Sequence, residues 1–273
     1  MKFSLKIAFV STLIIILVVS IVVGICSSKK LLAETITHRF SNGNLNIKIA
    51  QLSDMHYPFG CVALDKISEE LRNFKPDFIF LTGDIIDSKS SKNDIFNLTP
   101  FCKELTNISS VYAVSGNHEL SNVHLQYFIE TLKATSISYL DNDTQLIKIK
   151  SKSCLIVGFA DNSDFESLHW RDTLPNYPLL ILTHRPKTFY NYLSILKNNS
   201  LILSGHAHGG LIRIFNKGLI GPNGSLMPKY TKGIYETEIA NSRLIVSAGL
   251  GYGSKQRARF FNKFHIPLVE VVI

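Results

Sequence analysis

Cysteine is scarce in this chain and poorly arranged for chemistry. Its four cysteines, Cys26, Cys61, Cys102 and Cys154, form no CxxC pair and no zinc-ribbon spacing, which excludes a cysteine-ligated zinc module. They read as small buried hydrophobes. No Lys/Arg block interleaved with aromatics appears, so the footprint of a nucleic-acid binder is missing and no nucleic-acid partner is expected. There is no internal repeat and no low-complexity tract, which excludes solenoids and disordered linkers. Charged residues make up only 18% of the 273 positions, against 45% hydrophobic. That balance suits one large globular unit carrying an added apolar segment.

The apolar segment is at the N-terminus, where acidic residues are absent up to residue 30. Ile7 to Ile25 carries no charge and is rich in Ile, Val and Leu. As a helix, its ~19 residues would span roughly 28 Å, close to the bilayer core. A cleaved signal has a shorter apolar region of about 7–15 residues, followed by a small-x-small site. In Val23-Gly24-Ile25-Cys26 a bulky Ile precedes the Cys, which argues against lipoprotein processing. Residues 1–30 are therefore expected to form an uncleaved single-pass anchor. The α-amino group, Lys2 and Lys6 give the leading side a slight positive excess over Lys29 and Lys30. That keeps it cytoplasmic and sends the rest of the chain outside. Those four lysines account for half of the net charge of +8. The +4 left for the remainder suits anionic lipid or an anionic substrate.

Five short stretches carry hard donors: Ser53-Asp54-Met55-His56, Gly83-Asp84-Ile85-Ile86-Asp87, Gly116-Asn117-His118-Glu119, Thr183-His184-Arg185-Pro186 and Gly205-His206-Ala207-His208. Most follow an apolar, β-branched run. Open α/β sheets place ligands beyond the carboxyl ends of such strands. Asp, Asn and neutral His bind first-row divalent metals. Donors in this number can hold two ions, and a bimetal site activates water for displacement at phosphorus.

In order and spacing these stretches resemble the signature of the calcineurin-like metallophosphoesterases, D-x-H, G-D-x-x-D, G-N-H-[ED], H and G-H-x-H, from about Ile47 to the C-terminus. The tail Gly249-Leu250-Gly251-Tyr252-Gly253 with Arg259-Phe260, and Gly205 to Gly210 running into Leu211-Ile212-Arg213, are similar to the membrane-anchored bacterial phosphodiesterase branch. Two departures stand out. Gly209-Gly210-Leu211 replaces that branch's Gly-Gly-Gln, and Lys263-Phe264-His265 replaces its Pro-Pro-Glu. No metal ligand is lost, so they bear on substrate identity.

The resemblance implies that Asp54, His56 and His208 bind one divalent ion, that Asn117, His184 and His206 bind another, and that Asp84 bridges them, the metals being Mn, Fe or Zn. It implies a catalytic role for His118, which would stabilise the transferring phosphoryl or protonate the leaving oxygen. Asp87 would hold the His118 ring, and Glu119 is expected to point away. Arg213 and Arg259 are candidates for contact with substrate phosphate. His38, His124, His169 and His265 match no ligand motif. Asn162–Tyr177 and Asn216–Lys232 read as loops that set specificity, with His169-Trp170 and Met227 as candidate contacts for an acyl chain.

Along the chain, residues 31–44 read as a polar stalk and 45–273 as the catalytic domain. Strands are expected at Leu45–Leu52, Phe78–Leu81, Val111–Val114, Ser138–Leu140, Leu146–Ile149, Leu155–Phe159, Leu179–Leu182, Leu201–Leu203, Leu211–Phe215, Gly233–Glu238, Leu244–Ser247 and Leu268–Val272. Helices are expected at Ala63–Phe74, Asn93–Thr106, Asn122–Lys133 and near Phe189–Leu196. Two βα-rich halves with facing sheets imply a four-layer α/β/β/α sandwich behind one transmembrane helix, the fold the resemblance also implies. The expected activity is metal-dependent hydrolysis of a phosphodiester or pyrophosphate, the substrate a phospholipid or lipid-linked phosphoester at the membrane. UDP-2,3-diacylglucosamine is the alternative substrate. A non-catalytic metal-binding scaffold is the alternative of another class; such proteins typically lose ligands, and this chain keeps them all.

Overall fold

The computed structural model describes residues 2–41, 43–161, 163, 177–187, 200–238, 241–252 and 259–273. The expected helix near Phe189–Leu196 and the pair His169-Trp170 lie outside the described residues. Helix α1 runs over Lys2–Ser28. Its Phe9–Ser28 portion has a mean hydropathy of 3.0, long and apolar enough to cross a membrane by length and composition.

Two six-stranded sheets follow. The first contains β1 (Leu31–Arg39), β2 (Asn46–Leu52), β3 (Phe78–Thr82), β4 (Ser110–Val114), β5 (Ser138–Tyr139) and β14 (Phe264–Val272), in the order β1-β14-β2-β3-β4-β5. The second contains β6 (Asp143–Ile149), β7 (Lys152–Phe159), β8 (Leu179–Thr183), β9 (Ser200–Ser204), β12 (Gly233–Glu236) and β13 (Arg243–Val246), in the order β12-β13-β9-β8-β7-β6. β10 (Arg213–Ile214) and β11 (Lys217–Gly218) form a small separate hairpin. β2, β3, β4 and β5 pair in parallel, as do β7, β8, β9 and β13.

The sheets face each other. Ile47, Ile49 and Phe80 from the first share a core with Ile156, Leu182 and Leu203 from the second. On the outer face of the first sheet lie α2 (Leu64–Phe74), α3 (Lys92–Ile108) and α5 (Leu125–Ala134), which bury Ile67, Leu98 and Leu132 against it. The outer face of the second sheet is buried too, at Val157, Ile181 and Ile202. Parallel strands covered on both faces read as continuous apolar runs, and β3, Phe-Ile-Phe-Leu-Thr, is buried at every position.

Two expectations change. Residues 31–39 are not a stalk: Leu31–Arg39 pairs in parallel with Phe264–Val272 as the edge of the first sheet. Its β-branched Thr35-Ile36-Thr37 alternates outward and inward, and Ile36 and His38 are buried. The helix expected over Asn122–Lys133 begins only at Leu125, as α5, and a separate short α4 (Asn117–Leu120) precedes it. Between them, Asn122 gives its side-chain amide to the carbonyls of Asp87 and Ser90, at 2.7 and 3.0 Å, while its Oδ1 accepts the His124 N–H. Those bonds favour a turn over helix.

The end of α1 is built into the domain. Gly24 packs on the Phe260 ring, and its carbonyl accepts the Phe261 N–H at 3.1 Å. Ser28 Oγ donates to the same carbonyl and accepts the Asn262 N–H at 3.1 Å. Only a glycine lets an aromatic ring lie against the helix backbone at that point.

Candidate metal centre

Each motif occupies the loop after a parallel strand: Asp54 and His56 after β2, Asp84 after β3, Asn117 after β4, His184 at the end of β8, His206 and His208 after β9. These loops turn back sharply to aim side chains across the sheet edge. Asp54, His56, Asp84, His206 and His208 all have left-handed backbone, with φ of 50°, 49°, 54°, 66° and 47°. Non-glycine residues in that region persist where surrounding structure over-determines them, and they cluster at functional sites.

Among the described residues three overlapping groups of three donors result: Asp54, His56 and His208; Asp84, His184 and His206; and His56, Asp84 and His118. In the first, His56 Nε2 and His208 Nε2 face each other at 3.0 Å, and His208 Nε2 is 3.5 Å from Asp54 Oδ1. In the second, His184 Nε2 is 3.1 Å from Asp84 Oδ2 and 3.2 Å from His206 Nδ1. Asp84 Oδ2 is also 3.8 Å from His56 Nε2, so one carboxylate stands between the groups. Asn117 sits between Gly116, where a Cβ would strike Asp84 Oδ1, and His118, whose backbone N–H donates to that oxygen at 2.8 Å. Among the described residues its own Oδ1 is buried without a partner.

A divalent cation fits this donor set. An orphaned amide oxygen and converging imidazole lone pairs are costly without a positive charge among them. Burial, then His184 and His56, push His206 and His208 respectively toward the neutral form, His206 down to about 3. Burial alone would raise Asp84, but His184 and His56 outweigh it and hold the carboxyl well below the usual range. Burial raises Asp54, a shift a nearby cation would oppose. Burial opposes protonation of His184, but Asp84 raises its pKa to about 10; its Nδ1–H donates to Thr82 O at 2.9 Å, so Nε2 is the nitrogen that faces the centre and would give up its proton to a cation.

His118 is 21% exposed where His184 is 0% and His56 1%; His206 is half-buried as well. Its Nδ1 is 3.1 Å from Asp87 Oδ2 and 3.2 Å from the Ser88 N–H. One ring nitrogen cannot donate and accept at once. The buried carboxylate is the stronger partner, so Nδ1 carries hydrogen toward Asp87 and Nε2 is left for the centre. Burial opposes protonation of His118, but the Asp87 hydrogen bond, then Asp84, raise its affinity for a proton. Asp87 Oδ2 is also 3.3 Å from His56 Nδ1.

Glu119 does point away from the donor cluster, but it is not idle. Fully buried, it accepts the backbone N–H groups of Asp84, Ile85, Ile86 and Gly116 at 2.6–3.0 Å, clamping the loop that presents Asp84. Its place in the G-N-H-E stretch was the available signal. Arg185 was unforeseen: its Nε binds both Asp161 oxygens at 2.7 and 2.9 Å, and its Nη1 lies 3.1 Å from His206 Nε2. A cavity of about 390 Å³ opens there, lined by Arg185, Lys187, His206, Leu226, Met227 and Pro228.

Arg213 and Arg259 are placed on the protein itself rather than at an open phosphate position. Arg213 donates to Gly209 O at 2.7 Å and to Asn216 O. Arg259 is 3% exposed; it donates to Gly251 O at 2.7 Å and lies 3.3 Å from His208 Nδ1. His265, with Nε2 3.0 Å from Glu34 Oε2, joins β1 to β14, and its Nδ1 accepts the Ala248 N–H at 3.2 Å.

The family model described as calcineurin-like phosphoesterase matches residues 47–210. A curated Bos taurus protein, the transmembrane protein with metallophosphoesterase domain, is 24% identical over 80% of this chain and 52% of its own length. Phosphodiesterase YaeI of Escherichia coli is 29% identical over 66% of this chain and 68% of its own length. Among solved structures, the NAD nucleotidase of Haemophilus influenzae superposes with a TM-score of 0.52 at 13% identity, covering 79% of this chain and 49% of that one. That likeness is one of fold. The chain spans about half the length of some curated relatives it matches.

Proposed function

We propose that this chain, which belongs to the calcineurin-like phosphoesterase family, is a metal-dependent hydrolase of a phosphodiester or pyrophosphate on a lipid or lipid-linked substrate, tethered to the membrane by α1. The carrying observation is the set of overlapping three-donor groups, in which Asp84 is shared and His118, the outermost member, is half-buried. Asp54, His56 and His208 would hold one divalent cation, and Asn117, His184 and His206 the other, with Asp84 shared. Such cations supply Lewis acidity toward the phosphoryl oxygens and lower the pKa of water at neutral pH.

The chain's own residues do the rest. Asp87 fixes the His118 ring so that Nε2 can give a proton to the departing oxygen. Arg185, braced by Asp161, and Lys187 offset charge on the bound anion. Leu226, Met227 and Pro228 offer an apolar wall to the part of the substrate not at the phosphorus, which supports a lipid-like group. The Escherichia coli relative's name, phosphodiesterase, supports a diester. The small positive excess at Lys2 and Lys6 supports a catalytic domain outside the cytoplasm.

The test is metal analysis of the purified full-length protein, coupled to hydrolysis of a soluble phosphodiester, phospholipids and UDP-2,3-diacylglucosamine. About two divalent ions per chain are expected, with occupancy and hydrolysis both lost in Asp84→Ala. A metal-free protein with full activity would overturn the reading. Turnover of UDP-2,3-diacylglucosamine alone would replace the phospholipid substrate with the nucleotide-sugar lipid.

A further inference from the structure

The first sheet fixes where the metal centre lies relative to α1. β1 begins at Leu31, directly beyond the helix, paired with Phe264 at the start of β14. β14 runs antiparallel to β2, with Leu268 opposite Ala50 and Val272 opposite Asn46. The Leu31–Phe264 end is therefore the edge from which the Asp54 loop emerges, and Arg39 lies at the other end. The helix meets the domain on the metal side of the sheet.

Exposed apolar side chains gather on that edge. The carbonyl of Phe260 accepts the Arg213 N–H at 2.9 Å, and this seats the β10–β11 hairpin against the loop that holds Gly24. The hairpin projects Ile214, 43% exposed, and Phe215, 96% exposed. Phe261, 41% exposed, lines one groove with both of them. Around them Lys29, Lys30, Lys217 and Lys263 are exposed. Residues 211–232 and 259–264 contain no Asp or Glu.

The depth follows from the helix. Phe261 docks at Gly24, four residues before Ser28, where the apolar span ends. At 1.5 Å per residue, that is about 6 Å inside the span's end, within the ~5–10 Å that interfacial apolar groups penetrate. Exposed aromatics rimmed by lysines, the nearby Glu34 being paired with Lys232 at 2.8 Å, match an anionic headgroup layer over acyl chains.

We propose that Ile214, Phe215 and Phe261 form an interfacial seat that inserts into the headgroup–acyl boundary of an anionic phospholipid bilayer beside α1. The catalytic domain is then held with its metal edge against the membrane. The seat rests on α1 being a membrane anchor. A flexible tether would leave the domain free to turn; this arrangement fixes its face.

The test reconstitutes the full-length chain in vesicles of phosphatidylcholine and phosphatidylglycerol brominated at shallow acyl carbons. The chain's single tryptophan is removed as Trp170→Phe, and a probe is introduced as Phe215→Trp or, separately, Ile214→Trp. Asn107→Trp, exposed near the end of α3, is the control. The Phe215→Trp and Ile214→Trp indoles are expected to lose most of their emission in brominated vesicles, while the Asn107→Trp indole keeps it. An unquenched Phe215→Trp indole in a protein that stays in the membrane through carbonate washing overturns the seat and leaves the anchor standing. Blue-shifted yet unquenched emission means that a second copy of the chain covers the patch, and also overturns it. Release by carbonate refutes the anchor, and the seat with it.

Discussion

Asp87→Asn isolates the hydrogen-bonded support of His118 without removing any proposed metal ligand. Asp87 is fully buried. One oxygen, Oδ2, is 3.1 Å from His118 Nδ1; the other, Oδ1, accepts the Lys89 N–H at 3.0 Å. An asparagine has one acceptor where aspartate has two. With its oxygen toward Lys89, the amide NH₂ confronts the His118 N–H. Flipped, it confronts Lys89 instead. Either way one donor–donor contact replaces a charge-assisted bond. Such a bond contributes about 1.5–3 kcal/mol, so turnover of a substrate with a poor leaving group should fall roughly 10- to 100-fold. His118 must be protonated to act as an acid, and Asp87 raises its affinity for that proton. Removing the carboxylate should therefore move the alkaline limb of the rate profile to lower pH. His56 Nδ1, 3.3 Å from the same oxygen, makes no aligned hydrogen bond, so metal content should stay near that of the parent. The assay is kcat against pH for an alkyl phosphodiester, with metal analysis on the same samples. An unmoved limb, or full activity, would refute the positioning role; loss of metal would move Asp87's role to the ligands.

His118→Asn should retain its metals and lose about 10²–10⁴-fold in turnover for a poor leaving group, and less for p-nitrophenolate; equal losses for both would leave only charge stabilisation. Burial is the leading cause that pushes both His38 and His265 from 6.5 down to about 4. The unfolded chain takes up those protons first, so stability held above pH 6.5 is lost as pH falls toward 4, by up to ~3 kcal/mol per histidine. Neither ring nitrogen of His38 has a partner among the described residues, so His38→Phe should stabilise the fold and flatten that dependence in urea titrations, and an unchanged slope would contradict this. A chain beginning at Leu31 loses the Gly24 and Ser28 contacts to Phe260–Asn262. It should melt at lower temperature and bind metal more weakly than one beginning at Gly24, and equal melting curves would show the helix end to be a mere passenger.

Donors were legible in the sequence where one strand and its own loop decide the outcome. Phe78–Leu81 must be buried on both faces, so it must sit centrally, and Asp84 then falls at the sheet edge. What could not be read depends on distant partners. Nothing within residues 31–39 announces that its partner strand is Phe264–Val272, and a threonine-rich run before a turn reads equally as a stalk. Arg259 was a candidate phosphate contact because a guanidinium can bond an anion bidentately where it has space to reach. Here the space is filled by Gly251 O and the Phe264 ring, its guanidinium carbon 4.9 Å from that ring's centroid. The helix end was hidden for the same reason: Ser28 meets Asn262, 234 residues later.

The left-handed loops say something about how the centre is prepared. Five proposed ligands in that conformation cost of order 1–3 kcal/mol each, and left to themselves the loops would relax. Bonds within the protein hold them. Glu119 takes four N–H groups beneath Asp84 and Gly116. Both Asp54 oxygens lie 3.0 Å from the His206 N–H. Asn262 gives its amide to His208 O at 2.6 Å while its backbone is tied to Ser28. None of these bonds involves a ligand atom that a cation would need, apart from those of the Asp54 carboxylate. The donor geometry is thus set by the fold, and cation binding does not have to organise the loops. Part of that setting, through Asn262, comes from the helix proposed to lie in the membrane.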